Sequence, residues 1–474
     1  MRPHSETEPR RTNLVDQSRR YQVIWEKVPE PARGRAGRWL VVHPGSGTAD
    51  DVVRWWPAEH LVPLRVDVDD TNRTGLAERL ADAVHNEPTL CGVVSLVGSE
   101  NGLHPMFSAV PRGFAAMLTL LQAYGDAGLT LPLWCLTRGA ADIIVEPNPL
   151  QAVLFGLGQV AALELPAFWG GLVDLAVETD SLAVSQLPEL LSSPDRETEL
   201  AVRGSAVYVR RLRRMPPVTP RNAWRPRGSA LITGGTTGTG AAVARWLAEN
   251  GTEDIVLTSR RGPAAPGVDA LHADLRARGA TVSVAAVDAG DHAAVVQLLH
   301  DARSRGSVFR TVVHAAGIPQ STPIKELSLA ECSAVLGAKL AGAATLDESF
   351  VDAELDAFVL FSSIYATWGG PGSAAYTAGN AYLDALARKR RRQGVPMTSM
   401  AWGPLGSGML AQAPPEIKEA LRQHGFTPLS GQQASAEMAR AVEDGLAAVT
   451  IADIDWDRFR AVRGGPLFAR LFST

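Results

Sequence analysis

The strongest constraint on the fold is a glycine-rich turn between an apolar strand and a helix. The run Ser229–Thr233 is apolar enough for a buried strand, and the segment AAVARWLAEN after Gly240 has helical spacing. Glycine in the intervening TGGTTGTG lets the backbone turn tightly and lets a pyrophosphate approach the first N–H groups of the helix. Strand, turn and helix in this order predict a dinucleotide site. Its candidate residues are Thr233, Gly234, Thr236, Thr237, Gly238, Thr239 and Gly240.

The residues after the following strands bear on which dinucleotide is bound. Ser259, Arg260 and Arg261 follow the run Asp254–Thr258, where a site for NAD usually has a carboxylate for the ribose 2′-hydroxyl. Arginine suits a 2′-phosphate, so NADPH is the predicted cofactor, with two solvated arginines as the structural alternative. Asp288 is a candidate for the adenine amine, although an aspartate that caps a helix looks the same. The predicted cofactor site also includes Ala315, Ala316 and Gly317.

A second group of polar residues gathers around the apolar run Phe358–Phe361. Ser363 ends that run, Tyr376 follows 13 residues later, and Asn380 lies four residues further on the same helical face. Lys339 stands upstream in a helical segment. A phenol has a pKa of about 10, and a nearby ammonium stabilises its phenolate form. Each residue alone has a structural explanation, but together, downstream of a dinucleotide turn, they predict hydride transfer to a ketone with a tyrosine as proton donor.

The chain reads as two halves of similar pattern. A basic, proline-rich stretch from Arg210 to Gly228 separates them, and both alternate apolar runs with helical segments, as βαβ units do. WLVVHPGSG in the first half parallels ALITGGTTGTG in the second, but without its reactive residues. We therefore expect an α/β fold of two Rossmann-like subdomains with parallel sheets, the N-terminal one degenerate and structural, the C-terminal one catalytic. The expected bounds are 1–19 (flexible segment), 20–214 (structural), 215–227 (linker), 228–462 (catalytic) and 463–474 (C-terminal tail).

Composition excludes several other classes of protein. The 474 residues are 46% hydrophobic and 20% charged, which is ordinary globular composition. A net charge of −4 gives no reason to expect nucleic acid. Without a long apolar run or a signal peptide, we expect neither a membrane span nor export, and a cytoplasmic location. Cys91, Cys135 and Cys332 lack ligand spacing, so buried free thiols are expected, with no metal and no disulfide.

The motifs TGGTTGTG and VVHAAG, with a serine and a tyrosine 13 residues apart, resemble those of the short-chain dehydrogenase/reductase superfamily. Ordinary members carry the active lysine four residues after the tyrosine. Here Asn380 takes that place and Lys339 lies 37 residues before Tyr376, which resembles the ketoreductase domains of modular polyketide synthases and animal-type fatty acid synthases. The resemblance implies a catalytic tetrad of Lys339, Ser363, Tyr376 and Asn380. It also implies a β-ketoacyl substrate on the phosphopantetheine arm of an acyl carrier protein, and neighbouring synthase domains as partners.

The resemblance covers nearly the whole chain. The segment NPLQAVLFGLGQVAALELPAFWGGLVDL is similar to the middle of the family's structural subdomain, and IADIDWDRF to its last strand. Thr237 and Thr239 stand where members more often have Gly and Leu, which bears on cofactor affinity. Two alternatives stay open: a free-standing reductase of small ketones, and a non-catalytic or epimerising domain.

The family divides by product stereochemistry. One group carries Leu-Asp-Asp shortly after the HAAG strand and gives the D-hydroxyl, but here IPQSTPIKEL follows. The other group carries a tryptophan eight residues before the tyrosine, as Trp368 is here, and gives the L-hydroxyl. The resemblance thus implies an A-type reductase in which a large ring beside the entrance directs the arm, with packing in a loop as the alternative. Ser373 replaces the histidine associated with epimerised substrates, which favours an unsubstituted or unepimerised α-carbon.

Two surface features remain. A proline-led amphipathic helix after AWGPLGSGML suits a lid over the substrate, with Leu405 and Met409 as candidate wall residues. The basic run Arg388–Arg392 favours a helix C-terminus electrostatically, and an acidic carrier protein docked there is the alternative.

Overall fold

The computed structural model describes residues 19–29, 31–45, 49–70, 72–178, 180–194, 197–216, 223–351, 353–408, 410–411 and 413–472. Several sequence predictions fall wholly or partly outside these ranges, among them residues 473–474 of the expected C-terminal tail. The others are residues 1–18 of the flexible N-terminal segment, residues 217–222 of the linker, and the lid candidate Met409.

The strands are β1 (Arg20–Val28), β2 (Arg38–His43), β3 (Leu61–Arg65), β4 (Leu90–Ser95), β5 (Leu133–Arg138), β6 (Trp169–Leu175), β7 (Glu199–Arg203), β8 (Ala206–Arg214), β9 (Ser229–Thr233), β10 (Asp254–Ser259), β11 (Thr281–Ala286), β12 (Phe309–His314), β13 (Ala357–Ser363), β14 (Met397–Trp402), β15 (Phe426–Thr427), β16 (Ala448–Ile451) and β17 (Asp453–Ile454).

The helices are α1 (Ala49–Trp55), α2 (Arg73–Asn86), α3 (Arg112–Asp126), α4 (Pro149–Glu164), α5 (Ser181–Ser185), α6 (Leu187–Leu191), α7 (Gly238–Glu249), α8 (Val268–Ala277), α9 (His292–Ser304), α10 (Leu329–Leu336), α11 (Gly342–Ser349), α12 (Tyr365–Trp368), α13 (Ala374–Arg392), α14 (Pro415–Gln423), α15 (Gly431–Glu443), α16 (Trp456–Val462) and α17 (Ala469–Phe472). A π-helical turn, Gly337–Ala341, joins α10 to α11.

The two predicted sheets are continuous with each other. Within the described residues, fifteen strands pair in the order β11-β10-β9-β12-β13-β14-β16-β1-β8-β7-β6-β5-β4-β2-β3. The pairs from β11 to β16 are parallel, as are those from β7 to β3. Strand β1 joins the halves because it pairs antiparallel with β16 on one side and β8 on the other. The α/β class with two Rossmann-like halves is confirmed, and β1 is the element that fuses them.

Burial on both faces explains the apolar strands of the catalytic half. Ala230, Leu231 and Ile232 of β9 are fully buried, as expected for parallel strands covered by helices on each side. The halves also pack through helices, because α4 of the structural half lies against α13 of the catalytic half. Gly156 makes this close approach possible, since a Cβ there would lie 2.5 Å from the Cα of Ala378.

Two peripheral features refine the sequence predictions. The described part of the segment expected as a C-terminal tail, residues 463–472, is packed, since Phe468 is buried and contacts the rings of Trp456 and Phe459. Cys135 and Cys332 are buried free thiols, but the expectation of burial was wrong for Cys91, which is exposed at β4.

One described segment, Leu329–Ser349, is long and apolar enough by composition to cross a membrane. It comprises α10, the π-helical turn and α11, and half of it is buried inside the fold. This is the position of a core helix.

Candidate active site

The glycine turn has the geometry that a dinucleotide requires. Gly234 and Gly238 have φ angles of 67° and 57°, in the left-handed region that side chains other than glycine rarely adopt. A Cβ on Gly240 would lie 2.4 Å from the carbonyl oxygen of Gly234, so the turn closes only without side chains. The first turn of α7 contains no acidic side chain, which leaves its N–H groups and the positive end of its dipole for an anion.

A cavity of about 980 Å³ extends from this turn to the predicted reacting residues. Most of the predicted site residues line it: Gly234, Thr236, Thr237, Gly238, Thr239, Gly240, Ser259, Arg260, Arg261, Asp288, Ala315, Ala316, Gly317, Lys339, Ser363, Tyr376 and Leu405. Thr233 lies behind the wall, where its hydroxyl contacts the His314 ring. Parallel strands explain the convergence, because β9, β10, β12 and β13 all end at this edge of the sheet.

The far end of the cavity suits an additional phosphate. Arg260 and Arg261 are exposed, and within the described ranges neither guanidinium forms an ion pair. The Ser259 hydroxyl accepts from the Gly262 N–H at 3.0 Å, and Asp288 accepts from the Gly290 N–H at 3.0 Å. Free guanidinium groups beside a glycine turn fit a dinucleotide that carries a 2′-phosphate.

Lys339 reaches the cavity from the π-helical turn. Its side chain is only 4% exposed, and Nζ donates to the carbonyl oxygen of Phe361 at 2.5 Å. Nζ also lies 5.8 Å from the centroid of the Tyr376 ring. Burial lowers the pKa of Lys339 to about 7, against the opposing charge of Asp384. The ammonium is therefore close enough to the phenol to stabilise a phenolate, and it titrates near neutral pH.

Tyr376 lies in the first turn of α13, one helical turn before Asn380. Burial raises the pKa of the Tyr376 phenol, while hydrogen bonds with Ser363 and Asn380 lower it. Asn380 also donates from Nδ2 to the Tyr376 carbonyl at 2.8 Å. Its Oδ1 is fully buried and lacks a hydrogen-bond partner within the described part of the chain. A buried acceptor without a donor is costly, and a water held here would satisfy it.

Sequence reasoning missed two residues of this site. The Gln320 Oε1 accepts from the backbone N–H groups of Ala375 and Tyr376, at 2.9 and 3.1 Å, and so fixes the start of α13. Tyr365 lines the cavity and sets its ring at 88° to that of Tyr376, with 6.2 Å between centroids. Gln320 gave no signal in the sequence because it lies in an irregular loop. Tyr365 lies only two residues after Ser363, and that proximity was the available signal.

The two stereocontrol candidates lie outside the cavity wall. Trp368 is 2% exposed and packs against Phe426, Phe459 and Phe468, so its ring does not stand beside the entrance as expected. Ser373 is buried, and its hydroxyl donates to the Gly370 carbonyl at 2.5 Å. Trp368 is the last residue of α12, the helix whose first residue, Tyr365, lines the cavity, so the position of α12 connects Trp368 to the cavity wall.

The basic run at the end of α13 is engaged within the protein. Arg392 pairs with Asp142 at 2.6 Å, Arg390 pairs with Asp347 at 2.8 Å, and Arg391 donates to the Gly445 carbonyl. The Arg392 contact ties α13 to the structural half, while the other two tie it to α11 and to the segment after α15 within the catalytic half. Together they favour the structural interpretation over a docking patch.

Two family models match the chain in succession. One, described as "Polyketide synthase extender module SpnB, Rossmann fold domain", matches residues 23–212, and the other, "KR domain", matches residues 228–407.

Solved structures match over nearly the full length. A structure described as an A1-type ketoreductase is 39% identical with a TM-score of 0.89, and the match covers 97% of this chain and 98% of that one. The first ketoreductase of the tylosin PKS is 35% identical with a TM-score of 0.83, at the same coverage.

Curated relatives are much longer. Polyketide synthase GfsA of Streptomyces halstedii is 40% identical and Erythronolide synthase EryA3 of Saccharopolyspora erythraea 38% identical, each over 96% of this chain. The chain spans 6% and 14% of their lengths.

Proposed function

The chain belongs to the ketoreductase domains of modular polyketide synthases, and we propose that it uses NADPH to reduce a β-ketoacyl thioester on an acyl carrier protein to the L-β-hydroxyacyl thioester. One observation carries the proposal: Lys339, Ser363 and Tyr376 line one cavity that is continuous with the glycine turn, and Asn380 lies directly behind Tyr376.

The cofactor is assigned from the residues that would hold it. The N–H groups at the start of α7 would bind the pyrophosphate. Gly317 in the adjoining wall leaves space for the Lys339 side chain, since a Cβ there would lie 2.8 Å from it. Arg260 and Arg261 would bind the 2′-phosphate. Bound NADPH would supply the hydride that reduces the β-carbon.

The protein's own residues would handle the oxygen and the proton. The Ser363 hydroxyl would hold the ketone oxygen, and the Tyr376 O–H would donate its proton to that oxygen as it becomes an alkoxide. The Lys339 ammonium favours this transfer because it stabilises the phenolate left on Tyr376. Asn380, with its free Oδ1, would hold the water that returns a proton to the phenol.

The substrate and the product stereochemistry are assigned from the relatives and from the residues around the site. The match to polyketide synthases favours a carrier-bound chain and neighbouring synthase domains as partners. The L-hydroxyl is favoured by Trp368, by the lack of a Leu-Asp-Asp triplet, and by similarity to an A1-type ketoreductase. Because Trp368 is buried, the stereochemical effect is assigned to the position of α12 rather than to contact with the arm.

The test is NADPH oxidation with an α-unsubstituted β-ketoacyl thioester, free and carrier-bound, with chiral analysis of the product. Tyr376→Phe should lower kcat by about 10²- to 10⁴-fold, the usual contribution of a positioned acid. Tyr382→Phe is a matched control, because Tyr382 is buried on the same helix outside the cavity wall.

Each alternative has its own signature in this assay. A D-hydroxy product contradicts the stereochemical assignment alone. Equal turnover of simple ketones favours a free-standing reductase. Cofactor binding without turnover of either thioester contradicts the catalytic proposal.

A further inference from the structure

The residues of the tetrad do not all come from one segment, so the Lys339 ammonium must be positioned relative to the Tyr376 phenol by the fold. Tyr376 and Asn380 share α13, so helix geometry fixes their separation. Lys339 comes from another segment, which packs on α13 at Gly379. The distance of the Lys339 ammonium from the phenol therefore depends on how that segment is held and not on the spacing along α13. A side chain of this length has several rotamers, so its backbone must be held if the charge is to act at one place.

The backbone at Lys339 is irregular. The Gly342 N–H donates to the carbonyls of both Gly337 and Lys339, so the π-helical turn breaks the regular ladder at the lysine. Single π-helical turns inside α-helices occur frequently at functional sites. Contacts from outside the helix can stabilise such a turn, and one from β12 reaches the Lys339 backbone directly.

His314 supplies this backbone contact. Its ring is fully buried at the end of β12, with Nε2 lying 3.2 Å from the Lys339 carbonyl oxygen. A carbonyl oxygen can only accept, so Nε2 carries the proton and donates. The other nitrogen, Nδ1, lies 2.7 Å from the Thr233 hydroxyl, which must therefore donate to it. Burial lowers the pKa of His314 to about 3, as does the nearby Lys339 charge, so the ring is neutral at working pH.

These two hydrogen bonds connect both parts of the active site. Thr233 is the last residue of β9 and opens the glycine turn, while Lys339 lies in the wall opposite. We propose that His314 is a positioning residue that holds the π-helical turn against β9 and thereby sets where the Lys339 ammonium meets the Tyr376 phenol. The inference rests on the tetrad of the proposed function.

Few titrating groups act on His314, Lys339 and Tyr376. Lys339 is influenced by the buried Asp384 carboxyl, and Tyr376 by the neighbouring Tyr365 phenol. The charge that acts most on His314 is Lys339 itself. The alkaline limb of the reduction rate therefore belongs to the coupled Lys339–Tyr376 pair. The pH at which the rate falls on the alkaline side should therefore change when the distance between the Lys339 ammonium and the Tyr376 phenol changes.

The experiment is the pH profile of kcat/KM for reduction of a β-ketoacyl thioester. In His314→Leu both hydrogen bonds are lost, so kcat should fall about 10- to 100-fold, the usual effect of a displaced catalytic group. The alkaline limb should also move upward by about one pH unit or more, because the phenolate loses its cation and the lysine gains solvent. In His314→Gln, whose amide can donate and accept in the same way, the limb should return toward that of the unmodified protein.

Two further variants keep the test decisive. Thr233→Val removes only one of the two bonds and should shift the limb in the same direction by less. His104→Leu alters another buried histidine, in the structural half, and should lower stability without moving the limb. A His314→Leu or Thr233→Val enzyme with reduced rate and an unmoved limb would overturn the proposal. Full activity of Tyr376→Phe would instead overturn the proposed function, so the two failures are distinguishable.

Discussion

Replacing Lys339 by methionine should abolish catalysis and stabilise the fold at low pH. The ammonium is buried, and burial lowers its pKa from 10.5 to about 7. The unfolded chain therefore binds the proton more tightly than the folded chain does. At pH values below about 7 the folded protein bears the full cost of a buried charge, which the variant does not bear.

The pKa difference sets the size and sign of the effect. A difference of three and a half pH units, at about 1.36 kcal/mol each, is a cost of about 5 kcal/mol below pH 7. As pH rises through 7 the folded lysine loses its proton, and the cost declines until pH 10.5. At pH 9 about 2 kcal/mol remains. Methionine leaves the Phe361 carbonyl without its donor, which costs about 1–3 kcal/mol. The net gain should be about 2–4 kcal/mol at pH 6 and close to zero at pH 9.

The assay is denaturant unfolding of both proteins at pH 6, 7, 8 and 9, with NADPH oxidation measured in parallel. Lys325→Met is the matched control, because Lys325 is exposed and its replacement should give a small, pH-independent change. A Lys339→Met protein that is no more stable than the unmodified protein at pH 6 would refute the reasoning. So would a gain that does not decrease between pH 6 and pH 9, because the lysine charge would then not be its cause.

Three other variants test separate parts of the site. Arg260→Ala with Arg261→Ala should raise the KM for NADPH by about 10-fold or more and that for NADH little, because only the 2′-phosphate contacts are lost, as initial rates with each cofactor would show. Tyr365→Ala removes a ring from the cavity wall beside Tyr376 and should improve kcat/KM for bulkier β-ketoacyl thioesters relative to the smallest one, in a competition assay. Gln320→Leu unties the first turn of α13 and should lower kcat by about 10-fold with little change in the affinity for NADPH, measured by cofactor fluorescence.

Local patterns in the sequence predicted the cofactor turn and the reacting residues. The cofactor turn needs positive φ at Gly234 and Gly238. Few residues other than glycine tolerate that conformation, so the turn can be recognised in the sequence by its glycines. Tyr376 and Asn380 are four residues apart, so their common helix face follows from the period of the helix. The family resemblance then supplied Lys339, which spacing alone would not have connected to Tyr376.

The missed features depend on contacts between distant parts of the chain. The π-helical turn has no composition that distinguishes it from the regular helix on either side. The burial of Trp368 depends on Phe426, Phe459 and Phe468, which lie 58 to 100 residues later in the sequence. The fusion of two sheets through β1 depends on strands at opposite ends of the chain, since Arg20 pairs with Ile451. Periodicity describes one element at a time and contains none of this information.

The structural half has a direct part in shaping the active site, although it lacks reactive residues. Glu164, the last residue of α4, accepts from the backbone N–H groups of Ile324 and Gly372, at 2.6 Å each. The second of these lies just before α13, and the first lies in the loop that carries Gln320. One carboxylate of the structural half thus holds both segments that fix the start of the tyrosine helix. Helix α4 also packs along α13 at Gly156, so the position of Tyr376 depends on both halves. A catalytic half without its partner would lose these contacts, which gives a physical reason for a degenerate copy to be retained.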